Sequence, residues 1–117
     1  MADVKMNILV LPDGQESKYI PVIRRYSQSS ISEILNCVRT GKYVLSFKHS
    51  DIEALRTMQK IISELQNLGA GIKIFESFEN HEDMEVGHQQ IENVIKRLID
   101  TKQYMEKIDD LTLEDDD

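Results

Sequence analysis

Residues 50–76 read SDIEALRTMQKIISELQNLGAGIKIFE and carry the clearest structural signal of the chain, a helix followed by a glycine turn and a buried strand. Ser50 and Glu53 have the S-x-x-E spacing of a capping box, in which each side chain satisfies a free backbone N–H of the other residue. Gly69 and Gly71 supply the permissive backbone that ends a helix. Between Glu53 and Gly69, apolar residues recur with the spacing of one helix face, at Ala54, Leu55, Met58, Ile61, Ile62, Leu65 and Leu68.

The composition describes one soluble globular domain of 117 residues, with 40% hydrophobic and 30% charged side chains. No run approaches the roughly 20 apolar residues of a membrane span, and the N-terminus lacks the long apolar core of a secretory signal. The single Cys37 excludes an internal disulfide and is typical of a reducing compartment. We therefore expect a cytoplasmic protein of a bacterium or a phage-infected cell.

The charges are divided unevenly along the chain. Residues 1–50 hold seven Lys and Arg against four Asp and Glu, a net +3, whereas residues 51–117 hold seven against seventeen, a net −10. The total of −7 argues against nonspecific binding to nucleic acid or to an anionic membrane. An acidic surface favours a basic protein as partner.

The first half of the chain alternates strand and helix signals. Val4–Leu11 predicts a strand that ends at a Pro-Asp-Gly turn. Residues 17–26 suit either a strand or a short helix capped by Ser17, with Pro21 in its first turn. Ser30 and Glu33 form a second S-x-x-E box, and the helix that follows is expected to end at Gly41 before a strand over 43–47.

The second half ends in a polar connector, a helix and a tail. Residues 79–87, ENHEDMEVG, predict an acidic connector after a domain of residues 1–78. Apolar periodicity returns from His88 to Ile108 and predicts an amphipathic helix. Residues 109–117 contain six acidic side chains and are expected to form a disordered tail.

Across residues 6–76, the predicted order strand, helix, helix, strand, helix, strand resembles the C-terminal domain of bacterial ribosomal protein L7/L12, whose fold the protease adaptor ClpS shares. That family has a helix with E-A-L, a later leucine, then G-A and an alternating strand, as at residues 53–55, Leu65 and residues 69–74. Residues 22–24, Val-Ile-Arg, resemble its V-I-K helix, and residues 31–35 resemble its L-K-E-A-K helix.

The resemblance implies an α+β fold with a three-stranded sheet covered by helices, and it implies a helix over residues 17–26. In the family, lysines on the two short helices help to dock translation GTPases. Only Arg24 keeps a positive charge at a matching position, because Ser32 and Leu35 stand where the second helix has lysines. The chain also continues for about 40 residues beyond the family's last strand.

Motifs that would support catalysis are weak. His81, Glu85 and His88 have the i, i+4, i+7 spacing of one helix face and form a possible metal site, although a solvated polar connector is the simpler interpretation. Cys37 lies in an amphipathic helix and is expected to be a buried apolar residue rather than a nucleophile. We expect no enzyme activity, no catalytic residues, no cofactor and no metal.

The C-terminal helix is the predicted partner-binding element. Its apolar residues recur in a heptad pattern that must pack against the domain itself, a second copy or a partner groove. The candidate contact residues are Ile91, Val94, Ile95, Leu98, Met105, Asp109, Asp110 and Glu114. An alternative is a basic face of Arg24, Arg25 and Arg39, which would bind a GTPase or the ribosome. The sequence thus predicts a non-enzymatic, immunity- or inhibitor-like module that occupies a basic protein.

Overall fold

A computed structural model describes the backbone of residues 4–115 and the side chains of residues 4–105. Within that range the chain forms four strands and four helices in an α+β arrangement. They are β1 (Lys5–Val10), α1 (Glu16–Tyr26), α2 (Ile31–Thr40), β2 (Leu45–Lys48), α3 (Ile52–Asn67), β3 (Ile72–Ser77), β4 (Met84–Val86) and α4 (His88–Asp115). The predicted order of the first six elements is confirmed, including the helix over residues 17–26.

The sheet has four antiparallel strands in the order β2-β1-β3-β4. Ile8 lies opposite Leu45 on one side and Ile74 on the other, and Ile74 in turn lies opposite Val86. The predicted three-stranded sheet was therefore one strand too small, because β4 lies inside the segment expected to be a connector. Three residues are too few to show an alternating pattern, and β4 gains its backbone hydrogen bonds from β3.

One face of the sheet carries the core. Met6, Ile8 and Val10 alternate along β1 with no exposed surface, as the period of two requires. Helix α3 covers them with its own fully buried stripe, which includes Leu55 and Met58. The remaining buried apolar residues come from all the helices, from β2 and β3, and from the connections that contain Val44 and Ala70, so α4 belongs to the same core as residues 1–78.

The helix termini test the capping predictions. Ser30 caps α2 as expected, since its Oγ accepts a 3.2 Å hydrogen bond from the Glu33 N–H. The prediction for α3 was wrong by one residue: Asp51 is the cap, and its Oδ1 accepts from the Ala54 N–H at 3.1 Å. Gly41 ends α2 with φ 72°, a left-handed conformation that disfavours a side chain.

Helices α1 and α4 also differ from expectation. Helix α1 begins at Glu16, so Ser17 is not its cap and Pro21 lies in the second turn. Helix α4 runs to Asp115, past the predicted end at Ile108, so residues 109–115 of the expected tail are helical. Residues 116–117 lie outside the described range. None of the helices in the described part is both long and apolar enough to cross a membrane.

Candidate partner-binding surfaces

The first half of α4 is part of the domain. Ile91, Val94 and Ile95 are 1%, 2% and 3% exposed, and α4 packs against α3. The Gln59 side chain on α3 also donates a 2.9 Å hydrogen bond to the carboxylate of Glu92. The three apolar residues are therefore core residues in this conformation and are not available to a partner, in contrast to the sequence prediction.

The second half of α4 leaves the body of the domain. Leu98 is half-buried, whereas Tyr104 and Met105 are 64% and 54% exposed. A helix of 28 residues is about 42 Å long, and the molecule measures 65 × 31 × 25 Å. Of the predicted apolar contact residues, Met105 is thus the one that is accessible, and Tyr104 is an exposed neighbour that the sequence analysis missed.

The acidic residues of the candidate site come soon after Met105 in the sequence. Asp109, Asp110 and Glu114 lie within the α4 backbone, and their side chains fall outside the described ones. The last turn of α4 has no basic residue. Negative charge at a helix C-terminus opposes the macrodipole, which favours cations there. A cation supplied from outside would therefore stabilise this end of the helix.

A groove of about 740 Å³ lies where the start of α3 meets the middle of α4. Half-buried Ile52 and Ile99 contribute apolar surface, and Lys48, Arg56 and Lys102 contribute positive charge. The other lining residues are Ser50, Asp51, Glu53 and Gln103. The Asp51 carboxylate is engaged in capping α3, and the groove combines apolar surface with mixed charge.

The alternative basic face is divided between two helices. Arg24 and Arg25 lie exposed in the last turn of α1 and border a shallow 350 Å³ hollow with Ile31, which is 51% exposed. The Arg25 guanidinium also forms a 2.9 Å ion pair with Glu64 of α3. Arg39 lies in the last turn of α2, about 12 Å along the helix axis from Ile31.

The sheet face opposite Met6, Ile8 and Val10 carries a polar network. The Asn7 amide donates to the Phe75 carbonyl at 3.1 Å and to the Ser77 hydroxyl at 2.6 Å. The Ser46 hydroxyl donates to Asn7 Oδ1 at 2.6 Å. Asn7 is 2% exposed, and these bonds satisfy its buried amide. These bonds link the three strands β1, β2 and β3 through side chains.

Tyr43 packs against Phe75, the residue that lies opposite Asn7 in the sheet. Its ring lies 5.7 Å from that of Phe75, and its hydroxyl donates a hydrogen bond to Asp83, just before β4. Burial, together with this carboxylate, raises the pKa of Tyr43 to about 12. The contact fixes the segment between β3 and β4, and sequence spacing could not reveal it because forty positions separate the two residues.

A buried polar cluster joins β3 to α4 on the core side. Glu76 is 5% exposed, and its Oε1 accepts a 2.8 Å hydrogen bond from Gln90 of α4. Its other oxygen lies 3.4 Å from Nε2 of His49 without the geometry of a hydrogen bond, so this buried nitrogen has no hydrogen-bond partner among the described residues. A buried carboxylate needs such partners, because desolvation of an unpaired charge is costly. No sequence pattern indicates this cluster, since Glu76 continues an otherwise ordinary strand.

The residues singled out for chemistry do not form a site. Glu85 lies in β4 and His88 begins α4, so they do not share a helix face with His81 as the spacing suggested. Among the described residues no three His, Cys, Asp or Glu side chains are grouped to hold a metal ion. Cys37 is a free thiol and is half-buried, less covered than predicted.

Comparison with protein-family models, with curated proteins and with solved structures found no match to this chain.

Proposed function

We propose that this protein is a non-enzymatic binding module that occupies a basic surface of another protein, as an immunity or inhibitor protein does. The observation that carries the proposal is the second half of α4, which leaves the body with Tyr104 and Met105 exposed. Exposed aromatic and Met side chains are typical of contact surfaces. The six acidic residues of 109–117 follow them directly in sequence.

The charge of this segment favours a basic partner. Acidic side chains repel one another and oppose the dipole at the end of α4. Binding to Lys and Arg side chains would therefore reduce both the repulsion between the carboxylates and their unfavourable interaction with the dipole. The same field steers a basic protein toward the helix and raises its association rate at low salt. Apolar contacts at Tyr104 and Met105 would then fix the register of the complex.

The test is affinity capture of the full chain, tagged at its N-terminus, from the native cytoplasm, with reconstitution from purified components. A variant with Asp109→Asn, Asp110→Asn and Glu114→Gln removes charge while keeping helix length. We expect one stoichiometric basic protein with the parent chain and at least about a tenfold loss of affinity with the variant. Equal affinity of parent and variant for the purified partner would contradict the proposal.

A second candidate is a translation-associated protein that binds a GTPase or the ribosome through Arg24, Arg25 and Arg39. The exposed Ile31 beside Arg24 and Arg25 favours it, because an apolar residue bordered by cations can contact an acidic protein. The variant Arg24→Glu with Arg25→Glu should abolish capture under this hypothesis and leave it unchanged under the first. Translation factors recovered with the tail variant, but not with this one, would favour the second candidate.

A further inference from the structure

Residues 97–115 of α4 contain a second stripe that differs from the one packed on the domain. Tyr104 lies about 120° around the helix from Leu98, so it points away from the face that contacts the core. Residues spaced alternately by four and three positions along this stripe are Arg97, Thr101, Tyr104, Ile108, Leu111 and Asp115. Arg97, Thr101 and Tyr104 are exposed. This spacing is typical of helices that pair side by side.

The two ends of the stripe carry opposite charges. Arg97 begins it and Asp115 ends it, and between them lie Thr101 and the apolar or aromatic residues Tyr104, Ile108 and Leu111. If two such helices lie antiparallel about a two-fold axis at Glu106, position 97 meets position 115, position 101 meets 111, and position 104 meets 108. A parallel pair would instead place each charge beside its own copy. Charge complementarity therefore selects one orientation.

We propose that residues 96–115 of α4 pair antiparallel with the same residues of a second copy, through the stripe from Arg97 to Asp115. The charges beside the stripe favour the same orientation. Lys96 and Lys102 lie in the first part of the segment, and the acidic residues of 109–117 lie in the last part, so the antiparallel pair sets each basic part beside an acidic one. Antiparallel helix dipoles add to this preference.

The pairing is weak and reversible. The shared segment spans fewer than three heptads, which is short for a stable coiled coil, and its charge pairs are open to screening by salt. It covers the same surface that would bind a basic partner. Self-pairing would therefore compete with that partner and keep the acidic segment covered in the free protein; this consequence, unlike the pairing itself, rests on the proposed function.

Sedimentation velocity of the purified full chain tests the pairing without any partner. We expect a monomer–dimer equilibrium over about a hundredfold range of concentration, shifted to monomer by high salt. Tyr104→Glu should weaken dimerisation at least about tenfold, because it sets a carboxylate in the stripe. Gln103→Glu is the matched control: it adds the same charge one residue earlier, about 100° around the helix and outside the stripe, and should leave the equilibrium unchanged.

Charge reversal tests the orientation. Arg97→Glu should weaken the dimer about tenfold, because it sets a carboxylate opposite Asp115 twice in the symmetric pair, and adding Asp115→Arg should restore the parent affinity. In a parallel pair Arg97→Glu replaces one like-charge contact by another and changes little. A chain that is monomeric throughout, a dimer insensitive to Tyr104→Glu, or a dimer insensitive to Arg97→Glu would overturn the proposal. A dimer that forms as expected while no basic partner is captured would refute the proposed function alone.

Discussion

At the start of α3, the cap that the sequence predicts and the cap that the structure has are neighbouring residues. Ser50 and Asp51 are both good caps, and only Ser50 has a Glu three positions later. In the structure Asp51 accepts the hydrogen bond from Ala54, so the ordinary N-cap bond prevails over the capping-box pattern. The sequence pattern located this helix start to within one residue and could not choose between two adequate acceptors.

Replacement of the true cap should cost more than replacement of the predicted one. Asp51→Ala removes the side-chain acceptor that caps the start of α3, and we expect it to lower the free energy of unfolding by about 1 kcal/mol. Ser50→Ala is the control and should change it by less than about 0.5 kcal/mol. Urea denaturation of both variants measures the difference. A larger loss with Ser50→Ala would return the cap to the predicted residue.

Asp13 and Tyr19 provide a pH-dependent contribution to stability. The Tyr19 hydroxyl donates a 2.6 Å hydrogen bond to Asp13, which lowers the pKa of that carboxyl and raises the pKa of Tyr19 to about 12. Because the Asp13 pKa is lowered, its ionised carboxylate stabilises the fold fully above about pH 3.9, and this stabilisation is lost as the pH falls through the pKa of Asp13 in the folded protein. Because the Tyr19 pKa is raised, its protonated hydroxyl stabilises the fold fully below about pH 10, and this stabilisation is lost as the pH rises toward 12.

Tyr19→Phe should therefore be less stable than the parent at neutral pH, and its deficit should shrink at both extremes. Denaturant unfolding from acid to alkaline pH measures the difference. Tyrosinate absorbance should show two of the four tyrosines, Tyr19 and Tyr43, titrating late in the parent chain, and only Tyr43 in the variant. Asp13→Asn is the companion variant, in which Tyr19 should titrate closer to its ordinary pKa. A deficit that does not vary with pH would show that lost packing, not the hydrogen bond, explains the effect.

At the scale of elements, the sequence predicted the longer helices and strands and missed the shortest strand. Helices α2 and α3 and strands β1 and β3 have caps, glycine stops or long apolar patterns, and all four were predicted near their true positions. Strand β4 has three residues with no such pattern and is stabilised by its pairing with β3, which is tertiary information. Helix α4 was predicted, but periodicity cannot tell which part of a stripe the domain itself covers.

The burial within α4 leads to a prediction about truncation. A chain ending after Phe78 lacks Ile91, Val94 and Ile95, and burial of each such side chain contributes about 1.5–3 kcal/mol. Their joint loss is comparable to the entire stability of a small domain, so this chain should not unfold cooperatively. A chain ending after Asp100 keeps all three and should unfold cooperatively. Circular dichroism during thermal melting compares the two, and a cooperative transition after truncation at Phe78 would restore the predicted domain boundary.

At the scale of the whole molecule, the chain separates a packed body from a projecting acidic helix. The net charge of −7 hides this division, because the basic residues near Ile31 and the acidic segment after Met105 lie on different elements. Composition could predict the acidic bias and the kind of partner it favours. It could not predict that the core uses Ile91, Val94 and Ile95, while Tyr104 and Met105 remain exposed.

Small-angle X-ray scattering can test this shape directly. The molecule is 65 Å long, and residues 101–115 account for roughly 22 Å of helix. In dilute solution at high salt, where self-pairing is screened, we expect a maximum dimension close to 65 Å for the full chain and a decrease of roughly 20 Å for a chain ending after Asp100. At low salt and high concentration the full chain should become longer, because an antiparallel pair sharing its far helices holds the two bodies at opposite ends, whereas the truncated chain should not change. If the full and truncated chains had the same maximum dimension in dilute solution, the far half of α4 would lie along the body, and both the partner surface and the self-pairing proposed for it would lose their structural basis.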